Sequence, residues 1–277
     1  IVSSRGVPRN KIHRTKVVLK AKLGFLNELL KFKARLVACG YTQVEGVDYD
    51  ESYAAALKLD TLRLVLALAA QLGLKISQAD IETAFLYSDI DKEIYLDVSD
   101  KYLRPLLGLK DGQVLKLKKA IYGLVQSPFL WSKKIREPLQ RLGYKSLNED
   151  PCCFVKGSGD NLKIILLYVD DLMFFSKFDE EFNALIAELG EEYNLTHSPV
   201  NFILGAEVKQ DPTKGTIQIS QTAYIERVAD RFKEYLDPLP FQDTPIKTEV
   251  DYNGSKRKGH VDTLDSPTTE KEKARGQ

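Results

Sequence analysis

The chain has 277 residues, of which 43% are hydrophobic and 29% are charged. This balance is typical of a soluble globular protein with a hydrophobic core, and the length suits one large domain or two to three lobes. The net charge of +1 excludes a strong electrostatic field of one sign over the whole molecule. Three cysteines without Cys-x-x-Cys spacing argue against a disulfide framework or a zinc site and favour a reducing compartment. No apolar segment approaches the roughly 20 residues of a membrane-spanning helix, and no signal peptide is recognisable.

Positive charge is concentrated near the beginning of the chain. Residues 1–37 contain ten lysines and arginines and one acidic residue, Glu28. Such an arm can bind phosphate groups, and it can equally be a solvated end. We expect residues 1–30 to be a partly disordered basic extension, and residues 31–40 to contain a strand with Lys31, Lys33 and Arg35 on one face. Because the first residue is Ile rather than Met, we expect a fragment of a longer protein.

The next part of the chain has one clear helix and several strands. The helix is predicted to be capped by Asp60 and to end at Gly73. Its apolar face consists of Leu62, Val65, Leu66 and Ala69, which recur at helical spacing. A strand over residues 75–81 follows and delivers Asp80. Further strands are predicted near residues 93–98 and 114–120.

The second half of the chain is predicted to form a hairpin between helices. The first helix ends at Gly143, and Pro138 inside it is expected to kink or split it. Its apolar face consists of Trp131, Ile135, Leu139 and Leu142. Residues 152–156 and 162–169 form the hairpin strands, and a helix with Phe182 and Leu185 on its apolar face follows. Strands over residues 202–208 and 216–220, a helix after Thr222 and a disordered polar tail over residues 249–277 complete the prediction.

Two adjacent carboxylates, Asp170 and Asp171, stand between two apolar runs. If both runs are strands, the aspartates form the tip of a hairpin that lacks the Gly or Asn typical of tight turns. Adjacent carboxylates repel each other unless a proton or a cation neutralises them, and their hard oxygen atoms suit Mg²⁺. An ordinary solvated turn contains the same residue type, so the pair alone does not decide between the two interpretations.

A third carboxylate, Asp80, also ends an apolar strand. If that strand lies beside the hairpin, three carboxylates gather at one edge of a sheet. Such a set can hold two divalent ions roughly 3.5–4 Å apart for in-line phosphoryl transfer. Taken alone, Asp80 is equally consistent with a cap or a solvated strand end.

Several motifs together resemble one known family. YVDD at 168–171 resembles the YxDD signature of reverse transcriptases, and further stretches resemble the polymerase of copia-type LTR retrotransposons in the same order. These stretches are KARLVA at 33–38, GYTQ at 40–43, GVDYDE at 46–51, DIETAFL at 80–86, EIY at 93–95, KAIYGL at 119–124, QSP at 126–128, DPC at 150–152 and FILG at 202–205. The ordered set extends over about residues 31–245 and is far more specific than any one motif.

The resemblance implies an α+β right-hand polymerase core over residues 31–248, with fingers, a palm with an antiparallel sheet and helices, and a short thumb. It implies DNA synthesis from dNTPs on an RNA or DNA template. The implied catalytic and metal-binding residues are Asp80, Asp170 and Asp171, with two Mg²⁺ or Mn²⁺ ions. The implied nucleotide-binding residues are Lys33, Arg35, Thr83, Ala84, Phe85 and Gln126. Those implied at the primer and template are Tyr168, Pro128 and Gly205.

Some of these roles are more specific than others. Phe85 is implied to be a steric gate that crowds the sugar 2′ position, although it could equally be a core residue. We expect Trp131 to belong to the core. The implied partners are a template–primer duplex and dNTPs, without a membrane, and self-association is left open. The implied location is the cytoplasm, in a virus-like particle, and also the nucleus.

The sequence also departs from the family pattern. Cys39, Val125 and Phe129 stand where the family usually has basic residues. The other departures are Ala54 and Ala55 in place of Ser-Pro, and Tyr87 and Ser88 in place of Asn-Gly. Fewer cations near the template should weaken phosphate contacts, so a decayed, non-catalytic nucleic-acid-binding remnant is a second hypothesis. A two-metal nuclease with the same carboxylates is a third, although a nuclease does not need a nucleotide pocket of Phe85 and Gln126.

Overall fold

The computed structural model describes residues 1–23, 29–198, 200 and 202–233. The chain divides into two compact units, Ile1–Gln221 and Thr222–Gln277. The helices are α1 (Leu59–Leu72), α2 (Leu103–Leu106), α3 (Ser127–Arg141), α4 (Asp179–Gly190) and, in the second unit, α5 (Thr222–Arg231). The strands are β1 (Val2–Ser3), β2 (Ile12–Leu23), β3 (Leu29–Ala38), β4 (Lys75–Ile81), β5 (Tyr95–Asp97), β6 (Gln113–Lys116), β7 (Lys145–Ser146), β8 (Cys153–Lys156), β9 (Lys163–Tyr168), β10 (Asp171–Ser176), β11 (Leu195–Ser198), β12 (Phe202–Ile203), β13 (Ala206–Asp211) and β14 (Thr216–Ser220). Within the described residues, no helix is long and apolar enough to cross a membrane.

The central feature of the first unit is a six-stranded sheet with the order β11-β4-β10-β9-β8-β7, in which all neighbours are antiparallel. We call it the palm sheet. Side chains of β9 alternate between its faces, so that Ile165 and Leu167 pack with the apolar side chains of α3 and α4. Ile164 and Leu166 pack with those of α1 on the other face. This burial on both faces explains why the runs on either side of Asp170 and Asp171 are continuously apolar.

The helices confirm most of the predicted apolar faces. The buried residues of α1 are Leu62, Val65, Leu66 and Ala69, as the spacing predicts. Asp60, however, lies in the first turn, and the N-cap residue is Lys58, whose backbone N–H donates to a carboxylate oxygen of Asp150 at 3.0 Å. Pro138 does not split α3, which is continuous from Ser127 to Arg141 with Pro138 on its buried side.

A second sheet, with the order β1-β6-β5-β2-β3, contains a strand that the sequence did not reveal. Residues 1–30, predicted as a partly disordered extension, contain β1 and the 12-residue β2. The first part of β2 alternates between exposed residues and less exposed ones, with His13 buried, and pairs with both β5 and β3. From Val18 to Lys20 all residues are exposed, and this outer part is ordered by antiparallel pairing with β3. We call this pair the β2–β3 ribbon.

A small third sheet, with the order β12-β13-β14, completes the first unit. The predicted strand over residues 202–208 is divided into β12 and β13 because Leu204 and Gly205 both have positive φ, 49° and 81°, and form a tight turn. The predicted disordered tail over residues 249–277 lies outside the described residues.

Candidate active site

The three predicted aspartates are brought together by the register of the palm sheet. Asp171 at the start of β10 lies opposite Asp80 near the end of β4. Asp171 also pairs with Tyr168 at the end of β9, which leaves Val169 and Asp170 as a two-residue turn. The backbone N–H of Ile81 donates to the carbonyl of Asp170 at 2.9 Å and fixes the turn beside β4. The neighbouring strands that the sequence could only assume are therefore present.

The turn itself adopts an unusual conformation. Val169 has a φ of 57°, in the left-handed region that β-branched residues rarely occupy. A positive φ at the first central position alone is typical of a type II′ hairpin turn, in which Gly is usual at that position. Strain of this kind costs about 1–3 kcal/mol and persists only where the surroundings hold it. The indole N–H of Trp131, on α3, donates to the Val169 carbonyl at 2.6 Å.

Burial and mutual repulsion raise the pKa values of the two turn carboxylates. Burial raises the pKa of Asp170 most, the negative charge of Asp80 acts in the same direction, and the positive charges of Arg35 and Lys33 oppose both effects. Burial also raises the pKa of Asp171, as do the charges of Asp170 and Asp80, whereas a hydrogen bond with the Gln78 side chain lowers it. The three carboxylates therefore lie within electrostatic reach of one another.

The donor chemistry of this edge fits a hard divalent cation, because three carboxylates repel one another and a cation offsets that repulsion. The side chains do not form a closed ligand set, however. Among the described residues, no group of three or more His, Cys, Asp or Glu side chains is arranged so that it could hold a metal ion. The backbone thus places the three predicted ligands on one edge of the palm sheet, without a closed ligand set among the described side chains.

The segment after Asp80 turns sharply away from the palm sheet. Thr83 is exposed and has a φ of 55°, and a short 3₁₀ helix, Ala84–Tyr87, follows it. Ala84 and Phe85 are buried in the cluster that packs on α3 and α4. The Phe85 ring lies 4.6 Å from that of Tyr122, centroid to centroid, and the planes are inclined by 59°. The predicted gate residue therefore lies against an aromatic side chain beside the aspartates.

Tyr122 links the β2–β3 ribbon to the three aspartates, and the motif analysis gives it no role. Burial raises the pKa of its hydroxyl most, and the charges of Asp170 and Asp80 act in the same direction. Arg35 on β3 opposes this shift, and its guanidinium carbon lies 5.4 Å from the centre of the Tyr122 ring. The KAIYGL motif contains Tyr122, but its spacing gives no reason to single the residue out.

Two glycines let the ribbon approach this loop closely. The N–H of Ala38 donates to the Tyr122 carbonyl at 2.9 Å, and that of Gly40 donates to the Gly123 carbonyl at 3.1 Å. A Cβ atom on Gly40 would lie 2.0 Å from the Gly123 oxygen, and one on Gly123 would lie 2.1 Å from the Ala38 oxygen. Both motif glycines are thus required by backbone contact.

The remaining predicted residues differ in how close they lie to the aspartates: Tyr168 pairs with Asp171 and the charge of Lys33 acts on Asp170, whereas Gln126 is engaged elsewhere. Gln126 is fully buried, and its side-chain amide pairs with the Gln43 side chain, the Asp48 carbonyl and, at 3.3 Å, the Asp91 carboxylate. Its contacts are those of a structural residue, and a nucleotide contact stays a prediction. Lys33 is half-buried on β3, Tyr168 is partly exposed at the end of β9, Pro128 begins α3, and Gly205 lies in the turn of the separate β12-β13-β14 sheet.

Comparison with known families identifies the class of protein. The family described as "Reverse transcriptase (RNA-dependent DNA polymerase)" matches residues 6–240. The chain belongs to this reverse transcriptase family, and the predicted α+β polymerase fold is confirmed. The match starts within the predicted N-terminal extension, in agreement with the strands found there.

Curated relatives are polyproteins of copia-type transposons, which confirms the resemblance. The chain is 35% identical over 221 residues to the retrovirus-related Pol polyprotein from transposon TNT 1-94 of Nicotiana tabacum, covering 79% of this chain. It is 31% identical over 201 residues to that from transposon RE1 of Arabidopsis thaliana, covering 71% of this chain. The chain spans only 16% and 13% of the length of these two relatives.

Solved structures resemble the fold loosely. A foamy viral protease-reverse transcriptase in complex with double-stranded DNA shares 14% identity at a TM-score of 0.38, covering 83% of this chain and 33% of its own. The RNA-dependent RNA polymerase of bacteriophage phi12 shares 10% identity at a TM-score of 0.44, covering 77% of this chain and 44% of its own.

Proposed function

We propose that this chain extends a primer by template-directed DNA synthesis, on RNA or DNA, with dNTPs as substrates. Membership of the reverse transcriptase family supports the enzyme class. The observation that carries the proposal is the register that sets Asp80 opposite Asp171, with Asp170 beside them at the same edge of the palm sheet.

Asp80, Asp170 and Asp171 are the residues that would hold divalent cations, Mg²⁺ or Mn²⁺. When bound by such a carboxylate set, two cations lower the pKa of an attacking hydroxyl and stabilise a leaving pyrophosphate. The chain itself supplies the negative charge that draws the cations to this edge.

The β2–β3 ribbon and the segment after Asp80 would hold the nucleotide. Arg35 and Lys33 carry positive charge toward the carboxylate edge, where it would attract a triphosphate. The Arg35 guanidinium lies over the Tyr122 ring, and this contact would help to orient it for a bidentate phosphate contact. The backbone N–H groups of Thr83 and Ala84 would donate to the triphosphate, and the Phe85–Tyr122 ring pair would form a wall against the sugar.

The carboxylate roles are tested by primer extension with Asp170→Asn. The isosteric amide keeps the shape of the turn but removes a charge, so we expect extension to fall at least ~100-fold. The matched control is Asp160→Asn, because Asp160 lies in the β8–β9 connection, where it pairs with Lys177. Undiminished extension by Asp170→Asn would remove the metal role. Shortened rather than lengthened primers from the wild type would favour the nuclease hypothesis.

The gate role of Phe85 has a separate readout. We expect Phe85→Ala to raise ribonucleotide incorporation relative to deoxynucleotide incorporation, because a wall against the 2′-hydroxyl is removed. Tyr122→Phe keeps the ring that Phe85 contacts and serves as the matched variant. If both variants discriminate against ribonucleotides as strongly as the wild type does, Phe85 is a core residue and not a gate.

The second candidate function is a non-catalytic nucleic-acid-binding remnant. The observation that favours it is that the carboxylate side chains do not form a closed ligand set among the described residues. The loss of basic side chains near the start of α3, where Val125 and Phe129 replace the basic residues usual in the family, agrees with this function. Binding of a template–primer duplex without extension, over a range of Mg²⁺ and Mn²⁺ concentrations, would establish this function instead.

A further inference from the structure

We propose that Trp131 is a positioning residue, whose indole N–H holds the turn of Val169 and Asp170 in its left-handed conformation and so sets the place of Asp170 and Asp171. The inference rests on the proposed function, because it concerns the aspartates which that function needs. It departs from the sequence-based expectation, which assigned Trp131 to the core only.

The turn needs an external constraint. Val169 has a φ of 57° without the freedom that Gly would bring to this position. Its side chain is 42% exposed, so packing around the isopropyl group is not what holds the conformation. A contact on the backbone of this residue must therefore supply the constraint.

The hydrogen bond from Trp131 acts directly on that backbone. The bond between the indole nitrogen and the Val169 carbonyl is 2.6 Å long, slightly shorter than the usual range of N–H···O bonds, about 2.7–3.2 Å. The carbonyl belongs to the peptide plane that leads into Asp170, so fixing it also fixes the direction in which the chain enters the aspartate pair. The Asp170 carbonyl is anchored separately by the Ile81 N–H at 2.9 Å. Two successive peptide planes of the turn are thus each held by a donor from another element.

The indole is itself held in a fixed orientation. Trp131 is 2% exposed, and its ring meets the Tyr193 ring edge-on at 5.6 Å and 87°. Tyr87 lies 6.4 Å from Trp131 and 5.0 Å from Tyr193, centroid to centroid. The Tyr87 hydroxyl accepts a hydrogen bond from the backbone N–H of Asn194 at 2.8 Å.

These aromatic contacts connect the turn to the strand that carries Asp80. Tyr87 ends the 3₁₀ helix that follows β4, and Asn194 directly precedes β11, the neighbour of β4 in the palm sheet. The Asn194 carbonyl also accepts from the Glu82 N–H at 2.9 Å, one residue beyond β4. The aromatic cluster therefore connects the turn that carries Asp170 and Asp171 to the strand that carries Asp80, so that their relative positions are fixed.

A double-mutant cycle tests the proposal in the full chain. Trp131→Phe keeps a buried aromatic ring but removes the donor, and Val169→Gly removes the need for a constraint because Gly adopts positive φ freely. We expect Trp131→Phe to lower the kcat of primer extension about tenfold, with the KM for dNTP changed by less than about twofold. In the Val169→Gly background, the same change should lower kcat by less than about threefold.

Tyr193→Phe is the matched control, because the Tyr193 hydroxyl is buried without a hydrogen-bond partner among the described residues and the ring contact is kept. Its kcat should equal that of the wild type. An equal loss from Trp131→Phe in the wild-type and the Val169→Gly backgrounds would mean that the indole only fills space, and no loss in either would remove the role altogether. If Trp131→Phe does not fold, 3-benzothienylalanine at position 131 keeps the shape of tryptophan without the donor.

Amide hydrogen exchange provides a readout that does not depend on activity. Trp131 is the only tryptophan of the chain, so its indole proton gives a single signal in a ¹⁵N-labelled sample. We expect that signal to be protected from exchange, and the Asp171 amide to exchange at least about tenfold faster in Trp131→Phe than in the wild type. If the indole proton is protected but the wild type does not extend primers, the proposed function is rejected while the Trp131–Val169 hydrogen bond is retained. An unprotected indole and an unchanged Asp171 amide would overturn the inference whatever the activity.

Discussion

The palm sheet and the β2–β3 ribbon are both antiparallel, but different forces hold them in place. In the palm sheet, β9 and β10 are covered on both faces, by α1 on one side and by α3 and α4 on the other. In the ribbon, Leu19 and Phe32 are 76% and 77% exposed. A slip of one residue in the palm sheet would move each buried side chain to the opposite face, so burial specifies its register, and with it the pairing of Asp80 and Asp171.

The ribbon is specified mainly by backbone pairing, which leaves its side chains available for binding. Opposite residues share a face, so that Lys20 with Lys33, and Val18 with Arg35, lie on one side, while Leu19 with Ala34 lies on the other. Burial therefore gives the carboxylate edge a rigid support, whereas the outer part of the ribbon is exposed and is held by its pairing.

The largest difference in stability between the two regions is expected when one phenylalanine side chain is removed from each. Phe174 on β10 is fully buried between β4 and β9, so Phe174→Ala should lower the free energy of unfolding by about 3–5 kcal/mol. Phe32→Ala removes the same side chain from the exposed ribbon and should change it by less than about 0.5 kcal/mol. Urea unfolding measures both. A large loss from Phe32→Ala would show that the ribbon is packed against something and is not free.

The contact between the ribbon and the loop of Tyr122 and Gly123 should be the next most sensitive. Gly123 has a φ of 93°, and a Cβ atom there would meet the Ala38 oxygen at 2.1 Å. Gly123→Ala should therefore destabilise the protein by about 2–4 kcal/mol, from the left-handed backbone and the overlap together. The control is Gly190→Ala at the end of α4, where the added methyl group meets none of the described atoms within 4 Å. It should be neutral or stabilise by up to about 1 kcal/mol, and equal losses in the two variants would contradict the close approach.

The same contrast explains what the sequence revealed of the fold. The faces of α1 and α3 were predicted because burial of one side imposes a helical period on their residues. The strands β9 and β10 were predicted because burial of both faces makes them continuous apolar runs of strand length. The ribbon strand β2 was missed because its inward-facing positions include the polar residues His13 and Thr15, and its outer part, from Val18 to Lys20, is exposed on both faces. The division of β12 from β13 was missed as well, because Leu204 gives no sign that it adopts the positive φ of a turn.

The candidate site was predictable to the extent that its residues carry their own chemistry. Asp80, Asp170 and Asp171 stand out as carboxylates at strand ends, and the register brings them together. Tyr122 and Trp131 act through their partners, Arg35 and the Val169 carbonyl, which only the folded chain reveals. Gln126 shows the converse, because a motif residue proves to be buried in a network with Gln43 and Asp48.

The reactivity of two cysteines measures how often the palm sheet opens to solvent at β8. Burial raises the pKa values of Cys152 and Cys153, beside and within β8, to about 11. Two pKa units above the ordinary value correspond to about 100-fold less thiolate, so at pH 8 both thiols should react with iodoacetamide at least that much more slowly in the folded protein than in urea. Because the unfolded thiols release their protons first, stability should fall as the pH rises from about 9 to about 11. Mass spectrometry of the labelled peptides measures the rates, and equal rates in both states would show that β8 opens readily.

The smallest effect is expected from two basic residues of the ribbon, Arg35 and Lys20, which should differ in their influence on the KM for dNTP. Arg35 reaches Tyr122, whereas Lys20 is exposed on the same face of the ribbon. Arg35→Lys keeps the charge but loses the planar stack, so we expect the KM for dNTP to rise about three- to tenfold while kcat changes little. Lys20→Met removes a charge without touching Tyr122 and should change KM by less than about twofold at ~0.15 M salt, where distant charges are largely screened. Equal rises in KM for both variants would mean that the ribbon acts only through its total charge. A rise confined to Arg35→Lys would mean that the exposed ribbon has one fixed point, and that this point lies where it meets the carboxylate edge.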